Sequence, residues 1–207
     1  MSGVHAPDRG LSHGLWITLG FGVVEACAGW WSGSLALLSD SGHMLTDAAA
    51  LGLAALAERH AHGKPHAEAH RVEVTAACIN ALMMFVVIAL IVYESIERLR
   101  EPEPVKGGVV FAVAFLGLLV NGWVAWILSR GHVGLNRRAA LLHVLSDMLG
   151  SIAALAAGLI IILTGWLPVD PLLSMLVAGL IAYGTINLLR DLGASDSGHG
   201  HSHGHKH

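Results

Sequence analysis

The sequence predicts an all-α membrane protein of six transmembrane helices, and three observations predict it. Its 207 residues are 54% hydrophobic and only 13% charged, with a mean hydropathy of +0.62, which is too apolar for an ordinary water-soluble domain. Apolar runs recur near residues 14–31, 34–57, 72–97, 107–129, 138–164 and 171–190, each about the 20 residues needed to cross roughly 30 Å of hydrocarbon. The links between them are short and hold most of the charge and proline. Nothing long enough for a second folded domain remains, so the expected division is a tail over 1–13, a six-helix transmembrane domain over 14–192 and a His-rich tail over 193–207.

Taken in order, residues 1–13 are polar, with His5, Arg9 and His13, and lead into the first span without a cleavable signal. That span carries Glu25, for which a hydrogen-bonded bundle carboxylate and a way-station for protons or cations are both open readings. Trp30-Trp31-Ser32-Gly33-Ser34 is a tight, uncharged, aromatic link, so the first two spans are expected to be antiparallel neighbours. Gly29 and Gly33 straddle that link and fit a backbone bend better than helix dimerisation.

The second span carries Asp40, His43 and Asp47 and is expected to break at Gly63 and Pro65. His60, His62, His66 and His70 around that break suit either a metal-collecting mouth or a solvated loop. The third span holds Asn80, with Met83 and Met84 as packing residues, and closes at the charged, proline-containing run Glu97–Pro104. The fourth carries Asn121, Trp123 and Trp126; the fifth carries His143 and Asp147. The sixth opens at Asp170-Pro171, where an acceptor side chain at the cap and a residue that needs no donor suggest a helix start. Cys27 and Cys78 fall inside spans without Cys-x-x-Cys spacing and are expected to be packing residues.

Two stretches stand out: His43-Met44-Leu45-Thr46-Asp47 and His143-Val144-Leu145-Ser146-Asp147. In each, an imidazole and a carboxylate four residues apart share one helix face. An aspartate at the centre of a membrane helix costs about 2.5–3.5 kcal/mol, so two in matching positions call for a compensating cation. Fourteen histidines in a chain of this size point the same way. Two imidazoles and two carboxylates from two helices suit tetrahedral zinc and are too nitrogen-rich for calcium or magnesium. Cobalt, nickel, iron and cadmium remain open by ligand type. Such a site needs neutral imidazole and ionised carboxylate, so metal arrival displaces protons and metal departure lets them return.

Nine Lys and Arg residues (Arg9, Arg59, Lys64, Arg71, Arg130, Arg137, Arg138, Arg190, Lys206) fall on one side of this arrangement and three (Arg98, Arg100, Lys106) on the other. The positive-inside rule then places both termini in the cytoplasm. The motifs are 100 residues apart, and three spans per half would make the second half an inverted copy, letting the two motifs meet near mid-membrane.

The run Ser34–Asp47, then Arg71-Val72-Glu73-Val74 with Asn80, Tyr93–Leu99, His143–Asp147 and Asp170-Pro171, resembles the cation diffusion facilitator family from about residue 12 to 192. The resemblance implies a six-helix exporter of zinc or a related divalent ion, usually a homodimer, working by proton antiport, while small size, short loops and the lack of a targeting segment lead to the expectation of a bacterial-type plasma membrane. It implies transport ligands at His43, Asp47, His143 and Asp147, and a supporting or proton-handling role for Asp40. Members commonly continue into a cytoplasmic ferredoxin-like domain, and the expectation here is a short member without it, dimerising through its third helix. A zinc-holding sensor without transport is the competing reading. An intramembrane metallohydrolase is disfavoured because four ligands leave no open position and no His-Glu-x-x-His occurs, and dispersed basic residues give nucleic-acid binding no support.

Overall fold

The computed structural model describes residues 9–61, 66–129 and 135–198. They form six helices: α1 Arg9–Ser32, α2 Leu35–Ala61, α3 His66–Arg100, α4 Gly107–Ser129, α5 Leu135–Thr164 and α6 Val169–Gly198. The expected order and number of helices hold, while most of the helices overrun the expected spans. The first starts at Arg9 rather than near 14, and α6 continues to Gly198, past the point at 193 where a tail was expected. Apolarity marks where a helix enters hydrocarbon, whereas backbone hydrogen bonding continues until a residue or a contact stops it. The break expected at Gly63 and Pro65, and the His-rich end of the chain from His199, lie outside the described residues.

Among the described residues, four stretches are long and apolar enough to cross a membrane: Cys78–Arg100, Gly107–Ile127, Val144–Thr164 and Val169–Asn187. At 24 and 27 residues, α1 and α2 have the length, but Asp40, His43 and Asp47 lower the hydropathy of α2. The bundle packs inside out relative to a soluble protein. Leu82, Val86, Leu90, Leu116, Leu163 and Leu176 are exposed, while Glu25, Asp40, Asn121, Asp147 and Asp170 are among the fully buried side chains. That inversion belongs to a chain whose solvent is lipid. Exposed Trp30, Trp31 and Trp166 mark one end and exposed Trp16, Trp123 and Trp126 the other, as aromatic belts do at the two interfaces. Cys27 and Cys78 are free and exposed, so they face outward and are not core packing residues as expected.

Packing joins α4 to α5, α1 to α2 and α4, α2 to α3, α5 and α6, and α6 to α3 and α5. Small residues let these helices approach: Ala36, Ala114 and Ala154 surround Leu37 and Val110 in one cluster. Met84 is buried as expected, and Met83 is exposed.

At the end that carries Trp30, Trp31 and Trp166, the links are sewn together. Gly33 turns the chain between α1 and α2 with φ of 75°, a conformation that glycine adopts without steric cost. The Gly33 carbonyl accepts a hydrogen bond from Arg98 Nη1 at the end of α3, and the Ser32 carbonyl accepts one from Lys106 N at 2.9 Å. Lys106 Nζ also lies 4.6 Å from the Trp31 ring centroid.

Asp170 supplies the third stitch, and here the sequence reading is corrected. It was expected to cap its own helix. Instead its carboxylate caps α2, accepting from Ser34 Oγ at 2.6 Å, Leu35 N at 2.7 Å and Ala36 N at 3.4 Å. Those amides are the orphan donors at the start of a helix, and the nearest acceptor in space belongs to the opening of α6. Proline still fits the first turn of α6 as expected, since it has no amide hydrogen to leave unpaired there.

Candidate metal centre

Two turns into α2, the offsets of three and four bring Asp40, His43 and Asp47 to one side of the helix. Thr46, inside the same motif, satisfies itself by donating its hydroxyl to the Gly42 and His43 carbonyls at 2.9 and 2.8 Å. It therefore stays with the helix backbone while the imidazole and carboxylates turn toward α5. His43 Nε2 stands 3.8 Å from Asp47 Oδ2 and 3.9 Å from Asp147 Oδ1. Two motifs 100 residues apart in sequence thus meet across the α2–α5 contact.

Those separations are too long for hydrogen bonds. Two donors in a tetrahedral zinc site with bonds of about 2.0–2.1 Å stand roughly 3.3–3.4 Å apart, so the trio is wider by about half an ångström. Among the described residues, no group of three such side chains closes to metal-holding geometry. His143 lies on α5 one turn before Asp147, and its side chain is outside the described residues. Asp147 is fully buried, whereas the His43 and Asp47 side chains keep 18% and 22% exposure.

One turn closer to the sewn end lies a second polar layer. Asp40 is 2% exposed and accepts from Ser151 Oγ at 3.4 Å, and Ser151 is one turn beyond Asp147 on α5. Glu25, on α1, is 0% exposed, and neither of its carboxylate oxygens has a hydrogen-bond partner among the described residues. Gly22 packs against Met44 and Gly29 against Leu38, and this antiparallel register of α1 on α2 brings Glu25 level with the turn between Asp40 and His43. Asn121 on α4 is also buried, and neither of its amide atoms has a hydrogen-bond partner among the described residues.

The sequence reading found the two motifs and Asp40. It left Glu25 open, noted Asn121 without giving it a role, and missed Ser151. A signal for Ser151 was present, since it follows Asp147 by four residues on the same helix face. No local signal links Glu25 or Asn121 to the site, because their helices join it only by packing.

Comparison with known proteins identifies the family of the chain. Residues 13–195 match the cation efflux transmembrane domain. The chain is 47% identical over 198 residues to the zinc transporter ZitB of Escherichia coli strain K12, covering 90% of this chain and 63% of that protein. It is 41% identical over 179 residues to a cadmium, cobalt and zinc/H(+)-K(+) antiporter of Bacillus subtilis strain 168, covering 83% of this chain and 58% of the relative. It is 40% identical over 175 residues to the metal cation efflux system protein CzcD of Cupriavidus metallidurans, covering 82% and 55%. The chain thus spans less than two thirds of the length of each of these relatives. With the six-helix bundle, the buried carboxylates and a match over nearly the whole chain in hand, the protein belongs to the cation efflux family of integral membrane proteins.

Proposed function

We propose that this chain exports zinc, or a divalent ion of similar chemistry such as cobalt or cadmium, in exchange for protons. His43, Asp47, His143 and Asp147 hold the ion. The observation that carries this reading is the approach of His43 to carboxylates of two different helices inside an apolar bundle, at spacings too wide for hydrogen bonds and close to those of ligands around one ion. The names of the relatives, a zinc transporter and a metal antiporter, support it.

The asymmetry of the bundle supports a direction of access. One end is stitched by Asp170, Arg98 and Lys106, and Asp147 is fully buried. His43 and Asp47 are the part-exposed members, and Asp47 lies a turn closer to the opposite end. An ion therefore enters from the end that carries most of the Lys and Arg residues, which the positive-inside rule assigns to the cytoplasm together with both termini. It leaves once the stitched end opens and the first closes, as alternating access requires. Four ligands fill a tetrahedral ion and leave no position for an attacking water, which favours transport over hydrolysis. The working unit is a homodimer, and the exposed apolar stripe Leu82, Val86, Leu90 and Tyr93 on α3 is the surface assigned to its contact.

Zinc flux into proteoliposomes under an imposed pH gradient tests this reading. Flux should follow the gradient in the unmodified chain and vanish in Asp147→Ala. Zinc binding without flux would make the protein a receptor and overturn the proposal.

A further inference from the structure

Two glycines face the second polar layer, and neither lies at a turn or has a positive φ. A Cβ on Gly117 of α4 would stand 2.8 Å from Glu25 Oε1 and 3.1 Å from Ser151 Oγ, and a Cβ on Gly150 of α5 would run into the Asp40 carboxylate. Each carboxylate thus occupies room that a side chain on the neighbouring helix would take. The place is built for them.

Nothing among the described residues neutralises them. No lysine or arginine pairs with Glu25 or Asp40, and α4 has no ionisable residue at all. The ionisable groups around the layer are His43 and Asp47 from α2 and Asp147 from α5. Ser151 offers one hydroxyl proton, which goes to Asp40. Gly107 against Ile161 and Gly117 against Ser151 fix the α4–α5 register, and one turn further on it sets Asn121 opposite Asp147. An ionised Glu25, with neither solvent nor a donor among the described residues, is held at high cost in so dry a place, and a second buried carboxylate in the same layer, with a single hydroxyl to serve it, adds to that cost. A carboxyl that keeps its proton avoids both penalties.

Resting on the transport reading above, we propose that Glu25 and Asp40 form a proton-holding acid pair, separate from the four metal ligands, that releases its proton when a divalent ion arrives one helical turn away. The step is a simple ionisation. A carboxyl O–H bond breaks, its electron pair stays on the carboxylate, and the proton passes to water. The double charge of the incoming ion then stabilises the new carboxylate across a low-dielectric gap. When the ion leaves, the pair is again unbalanced and takes a proton back. The counter-ion is thereby loaded on the sewn side of the metal ligands, where an outward-moving ion must pass.

The test is zinc titration calorimetry of the full chain in detergent, run in buffers of differing ionisation enthalpy to count protons released per zinc. Glu25→Gln/Asp40→Asn should still bind zinc and release about one proton fewer than the unmodified chain. An unchanged count with zinc bound overturns the acid pair. Infrared difference spectra of the unmodified chain keep the proposal testable should the variant not fold or not bind. Zinc should remove a protonated-carboxyl C=O band, and its absence overturns the proposal. Gradient-driven flux with an unchanged proton count would sink the acid pair and leave transport standing. A discharged carboxyl without flux would sink transport and leave the pair.

Discussion

His43 has carboxylates on both sides of it, one turn along α2 and across on α5, and the proposed metal binding depends on that position. Removing either carboxylate should weaken zinc far more than removing a neighbour such as Thr46, whose hydroxyl is already occupied by the helix backbone. Asp147→Ala and His43→Ala should each lower zinc affinity by roughly one to two orders of magnitude or more, read by titration of the detergent-solubilised protein, whereas Thr46→Ala should change it little. Gly150 gives a second test at this scale. Gly150→Ala places a methyl where the Asp40 carboxylate sits and should cost about 1–3 kcal/mol by overpacking, seen as a lower melting temperature. Gly108→Ala, in open space on α4, should leave stability intact or raise it slightly.

Between helices, Asp170 has the widest reach. It opens α6, and three donors at the start of α2 depend on it. Asp170→Ala strands a buried hydroxyl and at least one buried amide at about 1–3 kcal/mol each, so the first turn of α2 should fray. Hydrogen exchange at the amides of Leu35 and Ala36 should rise in that variant and much less in Asp170→Asn, which keeps an acceptor oxygen. The same contact marks how far sequence reasoning reaches. Aspartate before proline correctly signalled a helix start, but the carboxylate does not cap that helix, and only the packing of α6 on α2 shows whose amides it serves. Likewise the six apolar runs predicted six helices, while the ends of α1 and α6 lie outside those runs because hydropathy records contact with lipid and not backbone pairing.

Across the whole molecule, an ion that binds only the folded bundle must stabilise it. At a free zinc concentration a hundredfold above Kd the gain is about 2.7 kcal/mol, so zinc should raise the melting temperature of the unmodified chain and leave Asp147→Ala unmoved. Lower pH should weaken the effect. The sign follows from the ligands, since imidazole and carboxylate bind metal only after losing their protons, and protons compete more strongly as pH falls. Thermal scans with zinc from pH 8 down to pH 5.5, against matched scans without it, should show the zinc-induced rise shrinking steadily. A rise that grew on acidification would contradict the ligand set.

By itself the sequence determined that the chain is a helical membrane protein, how many helices it has, and which two motifs hold a metal-ligand pattern. Those properties are periodic or compositional, carried by neighbours along the chain. The tertiary structure decided that the two motifs meet, that Asp170 caps a helix other than its own, and that Glu25 and Asp40 lie in a layer with glycine-made room and no basic partner among the described residues. Each of these depends on distances between residues far apart in sequence. Such distances are set by how six apolar faces pack together, and no local pattern encodes that packing.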